Sequence, residues 1–202
     1  MKFIGITGGV GAGKSTVLAY LKENYKCHIA LADDLAKSLM EPGSICYGAL
    51  VDLLSPYQVF DGAGRIEKES MARLLFSKEE VRAQVNAIVH PAVKECVLAQ
   101  VKEARNQGRL DYFFFEAALL LEDHYEEVCD ELWYIYCEKE VRMERLRHNR
   151  GYSDKKIEQM LKNQLSDEEF ESKCDFQLYN SEDVAHTYLQ IERKMRTYYE
   201  SM

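Results

Sequence analysis

The chain has 202 residues, 34 acidic against 26 basic, for a formal net charge of −8, and 47% of its residues are hydrophobic. That is ordinary globular composition, sufficient for one compact unit with at most one inserted subdomain. The acidic balance argues against nucleic acid or an acidic membrane as a partner, so any anionic ligand has to meet a locally basic site.

No apolar run approaches the roughly 20 residues of a membrane span. The first residues already read as a strand, so no signal peptide is expected. The six cysteines, Cys27, Cys46, Cys96, Cys129, Cys137 and Cys174, form no CxxC pair and have no zinc-ligand spacing. They read as reduced, mostly core residues of a cytoplasmic protein.

In chain order, Lys2 to Thr7 is a short apolar, β-branched segment, and Lys14 to about Tyr25 carries Val17, Leu18 and Leu21 on one helical face. Between them, Gly8-Gly9-Val10-Gly11-Ala12-Gly13-Lys14-Ser15 matches GxxxxGK[ST] at every fixed position. Strand, glycine loop and helix are the context that motif requires. The glycines let successive backbone N–H groups turn toward phosphate oxygens, and the helix adds its positive end. Lys14 supplies a cation for the β- and γ-phosphates, and the Ser15 hydroxyl suits Mg²⁺. Binding of a nucleoside triphosphate is the expectation.

A second strand is expected over Cys27 to Ala32, placing Asp33 at its carboxyl end. Ligands bind beyond that end of the strands in open α/β sheets. Asp33 there could accept or orient the proton of an attacking hydroxyl, or Asp33 or Asp34 could simply cap the helix that follows to about Pro42-Gly43. Residues 43 to 95 read as a helical insertion. Within it, Asp61-Gly62-Ala63-Gly64 fits DxxG but follows no buried strand, and with no NKxD sequence anywhere it reads as a surface turn. Ser77 and Glu80 suggest a capping box. His90-Pro91 is expected to interrupt the helical pattern before another helix runs to Gly108. His90 itself reads as a capping or buried structural group.

Tyr112 to Glu116 and Leu132 to Cys137 are continuous apolar runs, as in strands buried on both faces of a parallel sheet. Phe176 to Tyr179 is a weaker strand. The fold class is therefore α/β, with a mostly parallel sheet and helical crossovers. Glu116, ending the third strand, could stand near Mg²⁺ or cap a helix. Lys139 to Arg150 carries Arg142, Arg145, Arg147 and Arg150, followed by Gly151 as a hinge. Arginines that close over transferring phosphate would make residues of about 139 to 164 a lid. Arg145 and Arg150 fit that role, whereas Arg142 and Arg147 read as a solvated helix face.

Together these segments resemble the dephospho-coenzyme A kinase family over nearly the whole chain. The likeness rests on Gly5 through Thr16, Ala32-Asp33 with Ala36-Lys37, and Glu41-Pro42-Gly43. It continues through Asn86-Ala87-Ile88-Val89-His90-Pro91, Glu116 through Glu122, Arg145 to Arg150 with Gln164, and Cys174-Asp175-Phe176 through Asn180-Ser181. The resemblance implies a three-layer P-loop fold with a core over residues 1–42 and 96–202 and an acceptor-binding insertion over 43–95. It implies transfer of the ATP γ-phosphoryl group, with Mg²⁺, to the ribose 3′-hydroxyl of dephospho-coenzyme A. Asp33, Lys14 and Arg145 would then be catalytic. Gly8, Gly9, Gly11, Ala12, Gly13, Lys14, Ser15, Thr16, Arg145, Arg150 and Asn180 would bind ATP, and Ser15 the metal. Asp33, Lys68, Arg73, His90 and Glu116 would face the acceptor. ATP and dephospho-coenzyme A are the expected partners, without nucleic acid or membrane, in a monomer or small homo-oligomer.

Three positions depart from the family's pattern: Leu31 where an aspartate is frequent, Ala118 where proline is common, and Lys68 where arginine is common. The last weakens bidentate phosphate contact there. Two other readings share the phosphate loop. One is a small kinase for a nucleoside, nucleotide or shikimate-like acceptor, which would not call for the His90-Pro91 insertion. The other is a nucleotide switch without transfer activity, against which the arginine lid stands.

Overall fold

A computed structural model describes residues 1–200 and divides the chain into two compact units. The first comprises residues 1–29 and those from Gln107 onward; the second comprises residues 30–106.

The first unit is built on a sheet of order β2-β3-β1-β4-β5, whose strands are β1 (Lys2–Thr7), β2 (Cys27–Leu31), β3 (Tyr112–Glu116), β4 (Glu131–Tyr136) and β5 (Phe176–Tyr179). β1 runs parallel to both β3 and β4, and β4 runs parallel to β5. Parallel neighbours need crossovers, which cover the faces of the sheet and drive its strands toward continuous apolar composition. The run Tyr112-Phe113-Phe114-Phe115 is fully buried, as are Leu132 to Ile135. Rings pack edge to face, Phe3 on Phe113 of the adjacent β3 at 5.6 Å and Phe114 on Trp133 at 5.9 Å from the two strands that flank β1, a geometry that aligns ring edges with ring faces.

Helices α1 (Lys14–Asn24), α6 (Lys139–Arg150), α7 (Asp154–Lys162), α8 (Asp167–Lys173) and α9 (Val184–Glu200) complete this unit. Gly151, at φ 63°, closes α6, and Ser153 caps α7 through the Lys156 N–H. At the amino ends of β1 and β4 lies a buried charge cluster. Glu131 accepts from Lys2 and Lys194, each at 2.6 Å, and from the Trp133 indole at 3.1 Å. Burial pushes the Glu131 carboxyl up, but the bonds from Lys194, Lys2 and Tyr198 outweigh it and hold the group below its ordinary value.

The second unit is helical: α2 (Ala32–Met40), α3 (Tyr47–Leu54), α4 (Lys68–Ser77) and α5 (Glu79–Gln107). Leu50, Leu54, Met71 and Leu74 are buried, together with the valine stripe of α5, in which Val81, Val85 and Val89 recur every fourth residue. Residues 61–64 form an exposed turn in which Asp61 accepts from the Ala63 and Arg65 N–H groups.

Three sequence expectations are corrected here. β2 ends at Leu31, so Asp33 lies in the first turn of α2. Ser77 does not begin a helix: it ends α4, its hydroxyl donating back to the Leu74 carbonyl, and no capping box with Glu80 forms. His90-Pro91 does not interrupt anything, because α5 runs through Pro91. A helix can absorb one missing N–H donor when an apolar stripe on either side holds the two halves in line.

Candidate active site

The site is assembled from the carboxyl ends of β1, β3 and β4, where the chain leaves the sheet. β1 delivers the glycine loop and α1 follows at once. Within the loop, Lys14 Nζ donates to the Gly8 carbonyl at 2.7 Å and lies 3.4 Å from Glu116 Oε1, at the end of the neighbouring β3. Both side chains are largely buried, with exposures of 16% and 18%, which strengthens their attraction relative to a surface pair. The lysine is thus folded back over its own loop. Ser15 and Thr16 are exposed at the start of α1.

Two groups from distant segments hold the loop from outside. Asn180, following β5, is buried; its amide N–H₂ donates to the Ala12 carbonyl at 2.6 Å and its oxygen accepts from Thr187 at 2.8 Å. Gly13 makes this possible. Its φ is 88°, and a Cβ there would lie 2.2 Å from Asn180 Nδ2 and 3.4 Å from Arg145 Nη1. Arg145 donates to the buried Cys137 thiol at 3.3 Å. Burial raises that thiol's pKa, and Arg145 acts against the rise. Arg142 is the second holder. Its Nε donates to the Val10 carbonyl at 3.0 Å, its Nη2 donates to Gln164, and the same Gln164 oxygen accepts the Val10 N–H at 3.3 Å.

Of the residues singled out from sequence, Gly8, Gly9, Gly11, Ala12, Gly13, Lys14, Arg145, Asn180 and Glu116 gather around this loop. Arg150 is exposed at the end of α6. Asp33 is exposed in the second unit and makes no capping bond to α2. Lys68 and Arg73 lie on the exposed face of α4, with Arg73 donating to Ser70 at 3.0 Å, and His90 is partly buried in α5. Arg142 corrects the sequence reading. It is not a solvated residue but one only 8% exposed. Its position, one helical turn before Arg145 on the same side of α6, was the available signal. Arg147 is exposed and paired with Asp154.

No group of three or more His, Cys, Asp or Glu among the described residues is arranged to hold a metal by itself. The donors at hand are the Ser15 hydroxyl and the Glu116 carboxylate. Hard oxygen donors of this kind suit a magnesium ion that arrives with phosphate oxygens and keeps part of its water.

Comparison with known proteins gives a consistent result. The family model described as dephospho-CoA kinase matches residues 2–186. A dephospho-CoA kinase of Corynebacterium diphtheriae is 30% identical over 181 residues, covering 90% of this chain and 89% of the relative. A crystal structure of a Thermus thermophilus protein superposes with a TM-score of 0.78 at 26% identity, covering 97% of both chains. A dephospho-CoA kinase of Campylobacter jejuni, at 20% identity and a TM-score of 0.72 over 96% of this chain and 95% of its own, shares the fold.

Proposed function

This chain belongs to the dephospho-CoA kinase family and catalyses the last step of coenzyme A biosynthesis, and from that premise we propose how its residues divide the reaction. ATP donates its γ-phosphoryl group to the ribose 3′-hydroxyl of dephospho-coenzyme A, giving coenzyme A and ADP. The observation that carries the assignment of roles is the preformed phosphate loop, with Lys14 tethered between Gly8 and Glu116.

In this reading the backbone of Gly8 through Thr16 cradles the triphosphate, and Lys14 swings from the Gly8 carbonyl to the β- and γ-oxygens. Asp33 accepts the proton of the 3′-hydroxyl as its oxygen bonds to the γ-phosphorus and the bond to the β-phosphate oxygen breaks. Support for Asp33 comes from its carboxylate being exposed and uncommitted to the α2 cap. Arg145 and Arg150 neutralise charge on the transferring group, since guanidinium forks match phosphate oxygens. Asn180 fixes the nucleotide end of the loop. Lys68, Arg73 and His90, on the helical insertion proposed over residues 43–95, receive the acceptor's phosphates. Ser15, with Glu116 behind it, would hold Mg²⁺, which when bound neutralises charge shared between the β- and γ-phosphates. The six free thiols fit a reducing, cytoplasmic setting.

The test is ADP release with dephospho-coenzyme A, beside nucleosides and shikimate as control acceptors. Asp33→Asn is expected to lower turnover about a hundredfold or more while ATP still binds. Near-normal turnover in that variant removes Asp33 from the proposed chemistry.

A further inference from the structure

Arg142 is 8% exposed, and no carboxylate among the described residues pairs with it. Its bonds go to two neutral oxygens, the Val10 carbonyl and the Gln164 amide. A buried guanidinium without an anion is costly, because desolvation removes far more than neutral acceptors return. Only two of its five donors are used in these bonds. The group also lies flat against the phosphate loop: a Cβ at Gly9 would meet Arg142 Nη2 at 2.1 Å, Cζ at 2.4 Å and Nη1 at 2.7 Å. Only glycine admits a cation this close to the loop backbone.

We propose that Arg142 is a further nucleotide-binding residue whose missing counter-charge is the polyphosphate of the bound nucleotide, with Gln164 as its positioning partner. Gln164 completes a ring: its oxygen accepts from both Arg142 Nη2 and the Val10 N–H, while Arg142 Nε donates to the Val10 carbonyl. The ring fastens one peptide of the loop to α6 and to the residue beyond α7. Nucleotide binding and the position of the lid segment are thereby coupled through Val10. This inference rests on the phosphate-loop reading above.

The experiment measures ATP and ADP affinity by calorimetry, and Tm with and without ADP, for wild type, Arg142→Met, Arg142→Lys, Gln164→Ala and Lys14→Ala. In Arg142→Met the unliganded Tm is expected to stay at or above wild type, since an uncompensated buried charge has gone, while both nucleotides bind at least about tenfold more weakly. Arg142→Lys is expected to recover part of that loss, and Gln164→Ala to weaken binding less than Arg142→Met. A strut with no ligand role gives the opposite pattern, a lower unliganded Tm with affinity within twofold of wild type, and that result overturns the proposal. If Arg142→Met does not fold, Arg142→Lys decides. Wild-type Tm with weakened binding supports the proposal; lowered Tm with unchanged binding sinks it. Should Lys14→Ala also bind normally, the phosphate-loop reading fails with it. If Lys14→Ala alone loses binding, only the role of Arg142 fails.

Discussion

The side-chain amide of Asn180 donates to the carbonyl oxygen of Ala12 over 2.6 Å, joining two residues 168 positions apart in the chain. Both are buried, so this bond fixes the loop's second half from within the protein. Asn180→Ala would leave the Ala12 carbonyl without its donor, at a cost of about 1–3 kcal/mol. The expected outcome is a roughly tenfold or greater fall in kcat/KM for ATP, with circular dichroism unchanged.

Gly13→Ala attacks the same contact from the other side. The methyl group would meet Asn180 Nδ2 at 2.2 Å on a backbone with φ 88°. Nucleotide binding is expected to fall by more than in Asn180→Ala. Because both changes break one contact, the double variant should lose clearly less than the sum of the two. A cycle of calorimetric affinities reads this directly, and full additivity would separate the two residues.

The Glu131 cluster sits at the opposite end of the strands from the glycine loop. Glu131→Ala leaves Lys2 and Lys194 without their shared carboxylate, and the expected loss is about 3 kcal/mol of stability with KM for ATP unchanged. The pH dependence follows from the lowered pKa. Unfolded, the carboxyl takes its ordinary value of 4.5; folded, it lies lower. Its stabilisation is therefore complete above pH 4.5 and is lost as pH falls through the folded value. Thermal melts from pH 7 to pH 3 should show a smaller acid-side drop in Glu131→Gln than in wild type.

Burial pushes the Cys27 thiol up to about 11 and Cys174 up to about 12. Lys22 opposes the rise at Cys27, while Asp175 adds to it at Cys174. At pH 8 neither carries an appreciable thiolate, the reactive form. Thiol-labelling of the native protein followed by mass spectrometry should find both slow, and guanidinium should release them.

Sheet and phosphate loop were legible because each rests on a local pattern. Apolar runs such as Phe113-Phe114-Phe115 have no other place than a doubly covered strand, and GxxxxGK[ST] carries its own geometry. What escaped was decided by contacts across the fold. Arg142 looks like any helical arginine until Val10 and Gln164 are seen around it. Pro91 reads as a break because local propensity says so, and tertiary packing of the valine stripe overrides it. Ser77 and Glu80 have capping-box spacing, but α4 claims Ser77 first. The end of β2 is expected one residue late, at Ala32, since nothing in Leu31-Ala32-Asp33 marks where extended backbone turns into helix.

The central place of β1 also has a bearing on biosynthesis. During synthesis β1 finds both neighbours only after Tyr112–Glu116 and then Glu131–Tyr136 have emerged, and the loop behind it waits longer still, for Asn180. Long-range pairing of this kind closes slowly and leaves apolar segments uncovered meanwhile. Translation that stalls before residue 180 therefore yields a chain with its motif intact and its nucleotide pocket unformed, a nascent species suited to capture by chaperones and incapable of turnover.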